Sequence, residues 1–262
     1  MRKGLRVFFV GGLISYRALF GFLSLWIFLP TLVLTPIFQI LLFAYIGRAA
    51  GAQSDQFYVI GNALQYASVP CLFAMTQTIA EERFWQTLGP ILISPAARLP
   101  LFLGRALPVI ANGAFVAAFS LLVGGLILGA TPPASAWPAL VVVIAIATFS
   151  CTGLGLINAG LGLRIRETAV LSNIFVGLLL VFGGANVPLA QLPGWMAAVG
   201  RALPLTHAIE AARSVAQGAS LGSVSGLLVR EAALGLTYAV AGFALIRYFE
   251  LQSRRLATLE RV

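Results

Sequence analysis

The sequence predicts an all-α membrane protein with six transmembrane helices, and three observations carry that prediction. Of 262 residues, 60% are hydrophobic and only 10% charged, against about 25% charged in a soluble domain. Mean hydropathy is +0.96. The charges punctuate long apolar runs: none lies between Arg17 and Arg48, Asp55 and Glu81, Arg105 and Arg164, or Glu167 and Arg201. Finally, Lys and Arg fall on alternate sides of these runs, as they do when charge orients a chain in a bilayer.

Crossing about 30 Å of hydrocarbon takes roughly 20 apolar residues in a helix, the only open-ended segment that satisfies its own backbone there. Spans are therefore placed near 23–47, 57–80, 106–130, 138–163, 169–188 and 227–249. The run between Arg105 and Arg164 is too long for one helix, and Thr131-Pro132-Pro133-Ala134-Ser135 divides it with strong turn chemistry. Arg230 and Glu231 stand at the mouth of the last span and must snorkel or pair. The whole chain, 1–262, reads as one transmembrane domain, without an internal repeat, a low-complexity linker or a cleavable leader.

Six spans put both termini on one side. Thirteen of the seventeen Lys and Arg residues then lie on that side, while Arg48, Arg201, Arg213 and Arg230 lie on the other. The basic side is expected in the cytoplasm. The net charge of +9 has no soluble, aromatic-interleaved patch behind it, so nucleic acid is not an expected partner. Cys71 and Cys151 sit inside apolar runs and read as packed small hydrophobes, with no disulfide framework or metal site.

Three segments break the pattern of simple spans. Residues 1–22 alternate Arg2, Lys3, Arg6 and Arg17 with bulky apolar side chains such as Phe9, which suits a helix lying in the membrane interface. Residues 81–105 carry Glu81, Glu82 and Arg83 and then Phe84, Trp85 and Leu88, an apolar set rimmed by charge that reads as a docking surface. Residues 187–226 are apolar yet broken by Pro188, Pro193 and Pro204. They are expected to form a re-entrant helical hairpin on the outer side, with Trp195 at headgroup depth. His207, Glu210 and Arg213 follow, the last two spaced for an ion pair on one helix.

Several chemistries find no residues here. A phosphate-binding loop needs Gly-x-x-x-x-Gly-Lys, and the single lysine, Lys3, has no such loop. One histidine excludes His-Glu-x-x-His, and Gly222-Ser223-Val224-Ser225-Gly226 places valine where a serine nucleophile would stand. The chain is thus not expected to be an enzyme by itself. Two other readings stay open: an intramembrane lipid-processing enzyme built on His207, Glu210 and Arg213, and a membrane scaffold.

Two stretches carry a resemblance. Glu82-Arg83 through Thr87-Leu88 to Ser94-Pro95 is one; Pro188-Leu189, Leu192-Pro193, Trp195 and Leu203-Pro204-Leu205-Thr206-His207 with Glu210 and Arg213 is the other. In this order the chain resembles the ABC-2 type permeases, membrane subunits of bacterial exporters of drugs, polysaccharides or lipid-linked glycans. Gln86 and Gly89-Pro90 depart from the family's usual Gly and Glu at those places. The resemblance implies a multi-pass protein of the bacterial inner membrane, paired with a second permease chain and driven by a separate ATPase subunit that holds ATP and Mg. It implies that 81–95 is a coupling helix, with Glu81, Glu82, Arg83, Phe84, Trp85, Thr87 and Leu88 meeting the ATPase, and that the interfacial helix adds a second contact. The first, second and fifth spans would line the path for an amphipathic or lipid-linked cargo. Their aromatics Phe38, Phe43, Tyr45, Tyr58, Tyr66, Phe73, Phe175 and Phe182 are candidate lining.

Overall fold

The computed structural model describes residues 29–84, 98–165 and 167–256. Their regular secondary structure is all helical, with no strand among them. A π-helical turn, Leu29–Leu34, leads into α1 (Thr35–Ala50). Then come α2 (Asp55–Tyr66), α3 (Ser68–Phe84), α4 (Arg98–Leu128), α5 (Trp137–Gly162) and α6 (Thr168–Phe182). Two short helices, α7 (Gly194–Ala202) and α8 (Thr206–Ala216), precede the long α9 (Ser225–Leu256).

Five segments are long and apolar enough to cross a membrane: Leu32–Ala50, Asp55–Gln77, Gly104–Leu128, Ala134–Gly162 and Ser225–Phe249. The expected span at 169–188 is instead a 15-residue helix ending at Phe182, about 22 Å long at 1.5 Å per residue. Gly183 stops it, and Gly184 turns the chain with φ of 74°, a conformation glycine adopts freely. The expected helix at 57–80 is broken at Ala67, since Pro70 has no N–H for the Tyr66 carbonyl and its ring crowds that oxygen. Ser68 Oγ caps the break by donating to the Gln65 carbonyl at 2.6 Å.

The link expected at 81–105 is helical at both described ends. Glu81, Glu82, Arg83 and Phe84 continue α3 as its last turn, and α4 already starts at Arg98. Trp85, Thr87 and Leu88 lie outside the described residues, as do Arg2, Lys3, Arg6, Phe9 and Arg17.

At the centre runs α5, which packs against α3, α4, α6, α8 and α9. From Ser150 to Leu156 every residue is buried, and its small side chains let neighbours approach closely. A Cβ on Gly153 would fall 2.5 Å from the Gly235 carbonyl oxygen; Gly235 and Gly242 on α9 in turn press on Ser150 and Leu156. Cys71 and Cys151 are buried, unbonded and inside this core. By contrast α1 keeps an exposed apolar face, with Phe38, Leu42, Tyr45 and Ile46 each more than half exposed. Nothing is gained by burying such a face when the surroundings are lipid.

Candidate functional site

The link between α6 and α9 (residues 183–224) caps the end of the bundle where α1 turns into α2. Three polar anchors hold it, and each begins with a side chain that the membrane interior would otherwise penalise.

The first anchor is Glu231. It lies on α9 and is fully buried, so its carboxylate must find donors. Leu205 N–H donates to Oε1 at 2.7 Å and Ala208 N–H to Oε2 at 3.3 Å; Ser150 Oγ donates to Oε1 as well. The carboxylate thereby caps the start of α8, which has no side-chain cap and no acidic residue in its first turn. Negative charge at a helix N-terminus is favourable by both hydrogen bonds and dipole. To aim its N–H inward, Leu205 adopts φ of 78°, a region that strains a leucine by about 1–3 kcal/mol. Fixing a buried carboxylate offsets that strain. Thr206 Oγ1 donates to the Gly200 carbonyl at 2.6 Å.

Arg213 is the second anchor. Its Nη1 donates to the Gly184 carbonyl at 2.9 Å, and Nη2 to those of Ala185 at 2.8 Å and Phe57 at 3.1 Å. The guanidinium also lies 3.4 Å from the Phe57 ring centroid, a cation–π contact. Three elements are thus pinned by one side chain: α8, the chain after α6, and the first turn of α2. Burial pulls the guanidinium down to about 9, so it is charged at neutral pH. Gly61 makes the junction possible, because a Cβ there would strike the Ala185 carbonyl oxygen and fall 2.5 Å from Arg213 Nη2. Tyr238 supplies the third anchor, its hydroxyl donating 2.5 Å to the Ala202 carbonyl at the end of α7.

The expected Glu210–Arg213 pair does not form. Arg213 turns into the bundle and Glu210 is exposed, because three oriented carbonyls in a dry site outbid a solvated carboxylate. His207 is buried with Nδ1 3.8 Å from Glu231 Oε2, too far for a hydrogen bond. His207, Glu210 and Arg213 therefore point to three different surroundings and make no common centre. No group of three His, Cys, Asp or Glu that could hold a metal occurs among the described residues. Within the link, Pro188 and Pro193 precede short helical turns, Pro204 is buried, and Trp195 is exposed with its ring 6.0 Å from Phe182.

A second polar group lies one to two turns from this cap. Gln39 Nε2 donates to Asn62 Oδ1 at 3.0 Å and Gln65 Oε1 at 2.6 Å; Asn62 Nδ2 donates to Asn186 Oδ1 at 2.9 Å and to the Tyr58 carbonyl at 3.0 Å. Four amides thus join α1, α2 and the chain after α6. A third cluster, Asn158 with Thr76 at 2.8 Å and Ser172 at 2.6 Å, ties α5 to α3 and α6 nearer the opposite end.

The candidate lining aromatics are spread more widely. Phe38 and Tyr45 are on the exposed face of α1, Tyr58 and Tyr66 are buried, and Phe43, Phe73, Phe175 and Phe182 are half-buried. Sequence reasoning missed Glu231 as an anchor and the amides altogether. The signal available was a polar side chain inside an apolar run, which in a membrane span marks function or packing.

Several helices long and apolar enough to cross a membrane, no strand among the described residues, and polar groups concentrated at helix junctions define a multi-pass membrane protein. The sequence matches the family model of the ABC-2 type transporter over residues 8–216. The chain belongs to that family, whose members are the membrane permease subunits of ABC transporters. No individually curated protein matches it.

Proposed function

We propose that this chain is the permease of an ATP-driven exporter, moving an amphipathic or lipid-linked cargo outward on energy from a separate ATPase subunit. The observation that carries the reading is the family match, which runs through α1 to α8. In this reading the chain crosses the bacterial inner membrane six times, with α6 as the short fifth span and both termini cytoplasmic. The helices α7 and α8 dip back into the outer leaflet, which is why α6 can stop at Phe182. The end of the bundle with Glu231, Arg213 and Arg48 faces outside, consistent with the excess of Arg and Lys at the other end.

The work is divided between chains. ATP and Mg bind the ATPase, and the segment from Glu81 to Leu88 seats in its groove. Glu81, Glu82 and Arg83 supply charge there, and Phe84, Trp85 and Leu88 apolar contact. The amphipathic start, with Arg2, Lys3, Arg6, Phe9 and Arg17, adds a second contact. Two permease chains pair, and ATPase closure opens a path between them along the first, second and fifth spans (α1, α2 with α3, and α6). The exposed apolar face of α1, with Phe38 and Tyr45, fits a helix that meets lipid, cargo or the second chain.

The test is co-purification of the chain with a candidate ATPase from membranes, followed by ATP turnover. A stoichiometric complex is expected, with turnover reduced about tenfold in Glu82→Ala combined with Arg83→Ala. His207→Ala should leave transport nearly unchanged. Loss of activity in His207→Ala alone, with no ATPase bound, would overturn the reading in favour of an outer-face enzyme.

A further inference from the structure

Gln39, Asn62, Gln65 and Asn186 stand where a membrane protein least tolerates amides. Gln39 lies eleven residues before the end of α1 at Ala50, about 16 Å along the axis. With Ala50 at the outer surface, as the permease reading has it, that is close to the midplane of a core about 30 Å thick. Asn62 and Gln65 are fully buried, whereas Gln39 and Asn186 are half-buried. The group joins α1, α2 and the residues just after α6, the elements assigned to the path.

Helix packing alone could use amides as glue, yet this group has features that glue does not require. Four amides converge rather than two, and two of them are only half-buried. None of the four is charged. Arg213, which reaches the neighbouring Ala185, is already occupied by three carbonyl oxygens. The chemistry offered is thus neutral, with donors and acceptors mixed, which is the chemistry of hydroxyl groups.

We propose that the amides of Gln39, Asn62, Gln65 and Asn186 form the cargo-selecting contact of the path, and that they select a neutral, polyhydroxylated headgroup. The inference rests on the permease reading. Separating α1 from α2 breaks the amide–amide bonds. A hydroxylated headgroup restores them one for one, whereas an apolar or quaternary cation leaves them orphaned in a dry site. Orphaning a single buried polar group disfavours a state by a factor of about ten, and a site built to hydrogen-bond its substrate rejects analogues that cannot reply.

The experiment uses proteoliposomes holding the permease with its ATPase and two probes: fluorescent glucosylceramide, which carries hydroxyls, and tetraphenylphosphonium, which carries no hydrogen-bonding group. Wild type should move glucosylceramide outward with ATP at least about tenfold faster than the phosphonium. Gln39→Met, nearly the same shape on a half-buried position, should reduce that ratio about tenfold. Leu126→Met, on the exposed face of α4, should leave the ratio as in wild type. The proposal is overturned by an unchanged ratio in Gln39→Met, by a wild type that favours the phosphonium, or by a complex that turns over ATP and moves no glucosylceramide. A chain that binds no ATPase fails earlier, and takes down the permease reading itself.

Discussion

Removing the Glu231 carboxylate tests the principal anchor of the α6–α9 link. Glu231→Ala takes away the acceptor for Leu205 N–H, Ala208 N–H and Ser150 Oγ, all in a dry part of the bundle. The serine can fall back on the Ala147 carbonyl, 2.9 Å away. The two amides have no alternative within reach, and each orphaned buried donor costs about 1–3 kcal/mol. Adding the small void left by the side chain gives about 3–7 kcal/mol. For a chain of this size that is a fall in Tm of roughly 6–28 °C. Glu231→Gln keeps one acceptor oxygen, so Leu205 remains bonded and the expected cost is about 1–2 kcal/mol. The assay is thermal unfolding in detergent micelles together with hydrogen exchange. Faster exchange should concentrate between Leu205 and Ala212, at the start of α8. An alanine variant with unchanged Tm and unchanged exchange in α8 would refute the argument that this carboxylate caps the helix.

Other junctions give sharper, smaller tests. Gly61→Ala should wedge α2 away from the Ala185 carbonyl and displace Arg213, destabilising the protein by about 1–3 kcal/mol; thermal unfolding reads this directly. Arg213→Lys keeps the charge but cannot reach three carbonyls and a ring together, so it should recover less than half of the stability lost in Arg213→Ala, measured the same way. Tyr238→Phe removes one hydrogen bond to Ala202 and should cost about 1 kcal/mol, with faster exchange at the end of α7. Cys71 and Cys151 are fully buried, so a membrane-permeant maleimide should label neither until the protein unfolds.

Much of the architecture can be read along the chain, because the bilayer imposes one rule on every residue it contacts. Uncharged runs became helices, and Pro132-Pro133 with Gly129 became the turn between α4 and α5, where φ of 65° at Gly129 ends α4. The prolines at 188, 193 and 204 marked the broken link, since none of them can continue a helix through its interior. The buried cysteines were legible for the same reason: a small apolar side chain inside a small-residue helix packs.

The partners of polar side chains were decided elsewhere. Glu210 and Arg213 have the spacing of an ion pair, yet Arg213 binds Phe57, 156 positions away in sequence. Glu231 caps a helix that begins 25 residues before it at Thr206, and Gln39 meets Asn62, which in turn meets Asn186, across three different elements. Such choices depend on which backbone groups a fold leaves unsatisfied in a dry interior, a quantity with no local signature. The sequence by itself determined that this is a membrane protein and where most of its helices run, though not the break at Ala67 or the early stop at Phe182, because hydrophobic length and turn chemistry act on neighbours in the chain. Only the tertiary structure decided which buried polar groups answer one another, because hydrogen bonds in a low-dielectric core are awarded by geometry across helices.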